Sequence, residues 1–326
     1  MKPLLTIAIP TYNRAGYLDL NLRQIGSQIE PHKDAVEIIV SDNCSSDNTA
    51  EVVAQHQGDD LPISYIRNEQ NLGADSNFIQ CFNQANGTYL LILGDDDLLV
   101  DGALADIVDY LKSGNFGVVR LCTYGYENDF RAERPKKTRH DSRSSSAESF
   151  IAQFSYFIGF VSGAIVNKEL VEQVPGFKAD RFADSNFPHL YWFLTAAIKA
   201  PVNGTLSRYT VAAKRNNSGN YKLFEIFAQK LNTVFDWFVV NENVSPRLFL
   251  RINNELLTTF FPYFILRTRA GLNTSFPHED CFSVLRATHG SNPRYWLLNA
   301  PLAFIPRFLC LWLLQLGDFL HRRMSS

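Results

Sequence analysis

The chain has 326 residues, which is enough for one large domain or two modest ones. Hydrophobic residues make up 46% of the sequence and charged residues 20%, a composition typical of a globular protein with a sizeable core. The formal net charge of -2 provides no electrostatic basis for binding nucleic acid, so nucleic acid is not expected as a partner.

Short apolar runs alternate with segments of helical hydrophobic spacing through roughly the first 125 residues. This alternation predicts βαβ units and an α/β fold, with a mostly parallel sheet flanked by helices. The predicted strands end at clusters of polar residues, and the carboxyl ends of parallel strands are where such open sheets bind their ligands. The predicted strands cover residues 4–9, 36–40, 63–66, 88–93 and 117–122, and predicted helices include residues 18–29, 78–85 and 102–112.

One apolar strand leads directly into three carboxylates. The predicted strand Thr88–Leu93 is followed by Gly94 and by Asp95–Asp97. Adjacent carboxylates repel one another unless a cation lies among them. Asp95 and Asp97 could both reach one Mn²⁺ or Mg²⁺ ion, whose other ligands would be water and substrate phosphates. An acidic triplet alone is more often an exposed turn before a helix, but the buried strand and the upstream polar clusters favour the metal site.

Two phosphate-binding motifs do not occur in the sequence. There is no G-x-x-x-x-G-K-[ST] loop, and no G-x-G-x-x-G follows the first predicted strand. Phosphates would therefore be held through a metal rather than by a glycine-rich loop.

Four segments, in this order and spacing, resemble the family 2 glycosyltransferases of GT-A fold. A weaker similarity, in residues 93–99 and 159–164, is to the bacterial O-antigen branch that contains abequosyltransferases. The resemblance implies a nucleotide-diphosphate sugar as donor, a divalent metal on the diphosphate, and inversion at the anomeric carbon by direct displacement. The four segments are Ile9–Arg14, Ile39–Thr49, Asn71–Gly73 and Leu93–Asp97.

The resemblance also implies roles for individual residues. Asp42 would bond the base edge, Asp95 would face the ribose or the donor sugar, and Asp97 would be the main metal ligand. The family more often has an aspartate where Gly94 stands. The implied substrate-binding residues are Pro10, Thr11, Tyr12, Arg14, Asp42, Asn43, Asn71, Gly73, Asp95 and Asp96, and the implied metal ligands are Asp97 and Asp95.

Inverting transfer also needs a carboxylate that takes the proton from the acceptor hydroxyl. The family places this residue near the start of a helix that lines the acceptor cleft, and the matching stretch is Gly176–Trp192. Asp184 is the predicted catalytic base because it precedes the predicted helix Phe187–Ile198, and Asp180 is the alternative. Asp184 could instead cap that helix; the glutamate that often precedes this aspartate in the family is an alanine here. His189 could bind the acceptor or the diphosphate, although a lone helical histidine is more often structural.

The segment Asn203–Asn220 is predicted to be a flexible loop that ends a catalytic domain of residues 1–220. In related enzymes such a loop closes over the donor, and Lys214 or Arg215 could then touch phosphate. An ordinary solvated turn is an equal alternative.

Residues 221–326 are predicted to form a helical C-terminal region. Its last part, 295–323, is rich in Trp, Leu and Phe, but Pro301, Pro306 and Arg307 leave too short an apolar run to span a bilayer. An interfacial helix on the anionic cytoplasmic leaflet is therefore predicted. The alternatives are packing on the core and a homodimer interface.

The five cysteines are scattered and form no CxxC pair, and no export signal precedes the first strand, so a cytoplasmic location is expected, peripheral on the inner face of the membrane. The predicted function is inverting, metal-dependent transfer of a hexosyl or deoxyhexosyl group to a glycan or lipid-linked glycan acceptor in cell-surface polysaccharide synthesis. One alternative is a sugar nucleotidyltransferase, whose G-x-G-x-R-type loop is missing at Pro10–Arg14. The other is a nucleotide-sugar-binding or scaffold protein without turnover.

Overall fold

The apolar runs of the first 215 residues form strands of one sheet in the structure, a computed structural model that describes residues 2–59, 61–136, 140–215, 221–272 and 276–325, with side chains as far as 317. All five predicted strands are present, and the α/β prediction is confirmed. The strands are β1 (Leu5–Thr11), β2 (Val36–Asp42), β3 (Ile63–Arg67), β4 (Tyr89–Ile92), β5 (Leu98–Leu99), β6 (Val118–Tyr126), β7 (Ser142–Ser144), β8 (Ala164–Asn167) and β9 (Asn203–Lys214).

The sheet is mixed rather than mostly parallel. Its strand order is β3-β2-β1-β4-β8-β6-β9-β5, with β7 paired to β9. The first four strands run parallel, as does the β6–β9 pair. β8 is antiparallel to β4 because the chain reaches it from the carboxyl end of β4, where the Ser162 hydroxyl accepts the Gly94 N–H.

Helices cover the sheet and bury its central strands on both faces. Every residue of β4 is buried, as its uninterrupted apolar sequence predicts. Leu18, Leu22 and Ile25 of the first helix are fully buried at the predicted helical spacing. The helices of this part are α1 (Ala15–Ile29), α2 (Thr49–Gly58), α3 (Ala74–Gln84), α4 (Ala103–Lys112), α5 (Ala147–Ala152), α6 (Lys168–Glu172) and α7 (Pro188–Lys199).

The prediction of a loop from Asn203 is wrong, because Asn203–Lys214 is strand β9; residues 216–220 lie outside the described residues. The Asn-Gly pair at its start is not a turn. Asn203 Oδ1 accepts the Val118 N–H at 3.0 Å, which joins β9 to β6. A Cβ on Gly204 would stand 2.7 Å from the Tyr110 ring, so the glycine is needed for close side-chain packing.

The chain divides into two units, Met1–Arg215 and Asn216–Ser326. In the second unit the regular elements of the described residues are helical, as predicted, and the Ser245 side chain caps the helix that begins at Pro246. No helix among the described residues combines the length and the apolar character needed to cross a bilayer. The helices are α8 (Leu231–Glu242), α9 (Pro246–Glu255), α10 (Phe261–Ala270), α11 (Cys281–His289) and α12 (Arg307–Ser325), with π-helical turns at Glu225–Lys230, Leu256–Phe260 and Tyr295–Asn299 and a 3₁₀ turn at Pro301–Ala303.

Candidate active site

The carboxyl ends of β1 and β4 bring a hydroxyl and a guanidinium to the acidic triplet. Thr11, the last residue of β1, donates a hydrogen bond from Oγ1 to Asp95 Oδ2 at 2.8 Å. Arg14 Nη1 donates to Asp95 Oδ1 at 3.0 Å and lies 3.3 Å from Asp96 Oδ2. Two of the four sequence segments therefore meet at one point, the acidic turn Gly94–Asp97.

Asp97 is held by parts of the chain that are far away in sequence. Its Oδ2 accepts a hydrogen bond from the Ser162 hydroxyl at 2.5 Å, and its Oδ1 accepts the Lys214 backbone N–H at 3.2 Å. Asn21 donates from Nδ2 to the carbonyls of Gly94 and Asp97, at 3.0 and 2.7 Å, and so fixes the turn itself. The Asp97 carboxylate thus has neutral donors, whereas Asp95 has a cationic one.

Gly94 lets the carboxylates come close to the backbone. A Cβ at this position would stand 3.0 Å from Asp97 Oδ2 and 3.2 Å from Asp96 Oδ1, which is tighter than ordinary van der Waals contact. A larger residue would push against both side chains.

Burial raises the pKa values of two aspartates of the triplet. The pKa of Asp95 rises to about 6, although the Arg14 guanidinium counteracts the effect, and the pKa of Asp97 rises to about 7, with the Asp96 charge adding to the effect. Both shifts mean that the folded protein resists placing negative charge here. A cation in the turn would relieve that cost.

The carboxylates fit a divalent ion only as an incomplete site. Among the residues that the structure describes, no group of three His, Cys, Asp or Glu side chains could hold a metal by itself. Hard ions such as Mg²⁺ commonly take one or two carboxylates and complete their shell with water and substrate phosphates. Asp97 and Asp95 could serve as those carboxylates.

A prediction about pH follows from the buried Asp97. Between about pH 4 and 7 the folded state keeps a proton that the unfolded state has released, so without divalent ions this residue lowers the free energy of unfolding as pH rises. In EDTA, we expect the unfolding free energy of Asp97→Asn minus that of wild type to be larger at about pH 7.5 than at about pH 4.5. The expected increase of this difference is on the order of 2–4 kcal/mol. Urea unfolding at both pH values measures this; an equal difference at the two values would contradict it.

A second cluster surrounds Asp42 at the end of β2. The Asp42 carboxylate accepts hydrogen bonds from the Tyr65 hydroxyl at 2.7 Å and from the Ser45 backbone N–H at 2.8 Å. Arg67 Nε lies 3.5 Å from the same carboxylate. Asp42 is buried, and its carboxylate stabilises the loop that follows β2 through these hydrogen bonds.

Asn43 joins this cluster to the other sequence-predicted residues. Its Nδ2 donates to Asn71 Oδ1 at 2.8 Å and to the Gly73 carbonyl at 3.2 Å. Its backbone N–H donates to the Thr11 carbonyl at 2.9 Å, which links the cluster to the acidic turn. Gly73 has a φ of +83°, a conformation that favours glycine. Asp42, Asn43, Asn71 and Gly73 thus form one base-side cluster next to the acidic turn.

The structure places Asp184 in an exposed turn that is tied to the base-side cluster. Asn186, two residues later, donates its backbone N–H to Asp75 Oδ2 at 2.7 Å, and Asp75 lies in the first turn of α3, just after Gly73. Asp184 has a φ of +68°, which is uncommon outside glycine and asparagine. Asp180 is also exposed, four residues earlier.

The contacts of this stretch bear on two alternatives for its residues. Helix α7 begins at Pro188 after Phe187 and has no side-chain cap, so Asp184 does not cap it. Burial lowers the pKa of His189 to about 4, and its Nε2 lies 3.0 Å from the Gly159 carbonyl. A neutral imidazole that donates to this carbonyl supports the structural role of His189.

Three residues of the site were not predicted for the contacts they make. Asn21 had a usable signal, because it is a polar residue on the buried face of α1. Ser162 lies in the 159–164 segment that the weaker resemblance included, although no role was assigned to it. Lys214 was one of two candidates for touching phosphate, beside Arg215; its amino group donates to the Glu127 carbonyl and lies over the Tyr126 ring, while its backbone contacts Asp97.

The sequence matches the model of a known family, glycosyl transferase family 2, over residues 6–174. This range is just over half of the chain. It includes the acidic turn, the base-side cluster and Ser162. The expected family resemblance is therefore confirmed, and the match reaches well beyond the four segments that suggested it.

Two curated relatives align with part of the chain. Abequosyltransferase RfbV of Salmonella typhimurium is 42% identical over 111 residues, which are 34% of this chain and 33% of that protein. The GalNAc(5)-diNAcBac-PP-undecaprenol beta-1,3-glucosyltransferase of Campylobacter jejuni is 34% identical over 181 residues, 54% of this chain and 58% of that protein. The chain thus spans a third to three-fifths of the length of these two relatives.

Solved structures match the fold over nearly the whole chain. S. aureus TarS 1-349, in complex with UDP-GlcNAc, has a TM-score of 0.62 at 16% identity and covers 93% of this chain and 90% of that one. The mannosyltransferase PcManGT from Pyrobaculum calidifontis, in complex with GDP-Man and Mn²⁺, has a TM-score of 0.54 at 18% identity, with coverage of 98% and 88%. The GT-A fold is therefore confirmed, and the chain belongs to glycosyl transferase family 2.

Proposed function

We propose that the protein moves a hexosyl or deoxyhexosyl group, with inversion, from a nucleotide-diphosphate sugar to a lipid-linked glycan during cell-surface polysaccharide synthesis. The acidic turn carries this proposal, because a buried Asp97 with a raised pKa lies beside Thr11 and Arg14 at the ligand-binding edge of the sheet. The acceptor class is supported by the Campylobacter jejuni relative, whose name includes a PP-undecaprenol-linked glycan.

The donor would lie between the base-side cluster and the acidic turn. Tyr12, which directly follows β1, is 43% exposed and offers a ring for contact with the nucleotide, and Pro10 is the second-last residue of that strand. Asp42 would act by holding the Ser45 loop against the base, since its carboxylate already accepts two internal hydrogen bonds. Asn71 and Gly73 would border the base or the diphosphate.

Asp97 would be the main metal ligand and Asp95 the second. The Asp95 charge is partly neutralised by Arg14, whereas Asp97 accepts only neutral donors from the side chain of Ser162 and the backbone of Lys214. A bound Mn²⁺ or Mg²⁺ would neutralise the charge that develops on the leaving diphosphate. Arg14 would keep the turn in place and add positive charge near the same oxygens.

Asp184 would be the catalytic base. In a single displacement the acceptor oxygen attacks the anomeric carbon as the bond to the diphosphate breaks, and the hydroxyl proton passes to a carboxylate. Asp184 is exposed and belongs to a turn that is anchored to Asp75 in the first turn of α3, which suits a group that must meet an incoming acceptor. Asp180 remains the alternative.

Turnover separates this proposal from the two alternatives. Membership of the family and the Pro10–Arg14 segment favour a transferase over a nucleotidyltransferase. A binding or scaffold protein without turnover would hold a sugar nucleotide and leave it intact.

The proposed function is tested with a panel of nucleotide-diphosphate sugars, Mn²⁺ or EDTA, and a lipid-linked glycan fraction. We expect one donor class to release its nucleoside diphosphate, and to do so only when the metal is present. The release should be faster when the acceptor is also present. NMR of the first product should show the inverted anomer. Absence of release from every donor would favour the scaffold alternative. A retained anomer would contradict direct displacement.

Ser162 is predicted to position Asp97. The Ser162→Ala variant removes the hydrogen-bond partner of Asp97 Oδ2 and that of the Gly94 N–H, so we expect a loss of about 1–3 kcal/mol in unfolding free energy and about tenfold weaker metal-dependent binding of the nucleoside diphosphate. Chemical unfolding measures the loss of stability, and calorimetry measures the binding of the nucleoside diphosphate. Ser149→Ala, which removes an exposed hydroxyl in α5, is the control. Unchanged metal-dependent binding in Ser162→Ala would contradict the positioning role.

Peripheral membrane contact through residues 295–323 is also part of the proposal, with the enzyme on the inner face of the membrane where a lipid-linked acceptor would be available. A homodimer that uses the same segment is the competing arrangement. The contacts of the helical unit favour the membrane, for the reasons given next.

A further inference from the structure

We infer that the helical C-terminal unit carries a binding site for anionic phospholipid, made of an arginine groove and an adjacent apolar docking face. The inference rests on the proposed function and deepens it, because an enzyme that acts on a lipid-linked acceptor would dock on the bilayer that holds this acceptor. Neither the groove nor its ligand follows from the family resemblance.

The arginine groove is an open depression with a volume of about 340 Å³. Three guanidiniums line it, from Arg247 and Arg251 of α9 and from Arg294 before the π-helical turn. Glu255 is the acidic residue of its lining and pairs with Arg251 at 3.3 Å. Among the described residues Arg247 and Arg294 have no ion-pair partner. The groove therefore has excess positive charge and suits an anionic phosphate group.

The docking face consists of large apolar side chains that the fold leaves in solvent. Phe308 and Trp312 lie four residues apart at the start of α12 and are 72% and 55% exposed, and Phe304, three residues before that helix, is 69% exposed. Leu297, in the π-helical turn, is 74% exposed. Monomeric proteins seldom expose so many large apolar side chains together, so these four residues indicate an interaction surface.

The opposite side of α12 is fixed to the unit, so the docking face is presented on a stable element. Cys310 is fully buried, and Arg307 Nε donates to the Ala270 carbonyl at the end of α10 at 2.8 Å. The exposure of Phe308 and Trp312 is therefore a property of the folded unit and not of a frayed end.

The π-helical turn connects the groove to the docking face along the chain. Arg294 lines the groove and is followed within the next three residues by Trp296 and Leu297. Trp296 Nε1 donates to the Gly290 carbonyl at 2.7 Å, and Arg286 lies 5.8 Å from its ring centroid. Tryptophan flanked by arginine is the composition that settles at a membrane–water boundary.

Charge identifies an anionic bilayer as the occupant. Residues 216–326 contain eleven Lys and Arg against seven Asp and Glu, whereas the whole chain contains 31 against 33. The excess positive charge thus belongs to the unit that exposes the docking face. A second copy would bring the same positive surface against itself, and a neutral bilayer would leave the groove unused.

The test is sedimentation of the full chain with lipid vesicles, made of phosphatidylcholine alone or with phosphatidylglycerol. We expect binding only to the anionic vesicles, weakening with added salt. The groove variant, Arg247→Gln/Arg251→Gln/Arg294→Gln, is expected to lower the partition coefficient about ten- to a hundredfold, and Phe308→Ser/Trp312→Ser to lower it at least about tenfold.

Matched controls separate these effects from general loss of charge or hydrophobicity. Arg23→Gln/Lys112→Gln/Arg208→Gln removes three exposed charges from the first unit, and Val240→Ser removes an exposed apolar side chain of α8; both are expected to bind like wild type. The Arg→Lys form of the groove variant is expected to keep most of the binding. Circular dichroism establishes that each variant is folded.

Four outcomes would overturn the inference. The first two are absence of binding to anionic vesicles, and vesicle binding that is unchanged in the groove variant. The third is that free pyrophosphate stabilises the protein through the three groove arginines while vesicles do not bind. The fourth is a dimer, detected by light scattering, that the substitution Phe308→Ser/Trp312→Ser dissociates. Vesicle binding is measured without donor or acceptor, and nucleoside diphosphate binding is measured in solution. Failure of the phospholipid inference can therefore be distinguished from failure of the proposed function.

Discussion

Replacing Asp97 by asparagine is expected to abolish sugar transfer, with a fall of at least about a thousandfold in kcat/KM, because the metal loses its main carboxylate. Asparagine has nearly the same shape and can still accept the Ser162 hydroxyl, so the turn should remain folded. Release of nucleoside diphosphate from the preferred donor, with saturating Mn²⁺, measures the effect.

Asp109→Asn is the matched control for this substitution, because Asp109 is an exposed aspartate on α4 away from the turn. It should retain wild-type turnover. If Asp97→Asn kept turnover within a few-fold of wild type, the assignment of Asp97 as the main metal ligand would be wrong.

Replacing Asp184 by asparagine is expected to lower kcat by about 100- to 10,000-fold while donor binding stays the same, because the acceptor hydroxyl loses its base. Asparagine is the suitable replacement at this site. It tolerates the φ of +68° that Asp184 adopts, so a loss of activity is not explained by backbone strain. Initial rates of transfer to the acceptor, with calorimetry for the donor, separate the two effects.

Asp180→Asn distinguishes the two candidate bases. It should transfer sugar at close to the wild-type rate, because Asp180 lies four residues before Asp184, the predicted base. The reverse pattern, a slow Asp180→Asn and an active Asp184→Asn, would give the role of base to Asp180.

Local sequence patterns predicted the elements that build the ligand-binding edge. β1, β2 and β4 are apolar runs buried on both faces, and that burial leaves a clear signature in sequence. Because parallel neighbours end at the same edge, the meeting of Thr11 and Arg14 with Asp95 follows from the strand order. These contacts join segments that carry recognisable motifs.

The contacts that hold Asp97 could not be predicted in the same way. Ser162 and the Lys214 backbone reach it from 65 and 117 residues away, from the turn before β8 and from the end of β9. β9 begins with Asn-Gly and is followed in the sequence by the polar run 215–220, and those two features favoured a loop. The need for glycine at 204 arises from the ring of Tyr110, which only the folded structure brings there.

The candidate base illustrates a second limit. The exposed turn around Asp184 is anchored to α3 by the hydrogen bond from the Asn186 backbone N–H to Asp75, and no hydrophobic periodicity encodes such a contact. The resemblance to the family suggested the residue, and the structure supplies its exposure and its anchoring beside Gly73. Its chemical role therefore depends on the kinetic experiment above.

Calorimetry with a panel of nucleoside diphosphates, with Mn²⁺ or EDTA, tests the central claim most directly, on the wild type and on Asp97→Ala. The proposed site predicts that one diphosphate binds, that EDTA removes most of the binding, and that Asp97→Ala binds as the wild type does in EDTA. Binding of no diphosphate, or binding that ignores both the metal and Asp97, would contradict a metal-assisted sugar-nucleotide site at the acidic turn.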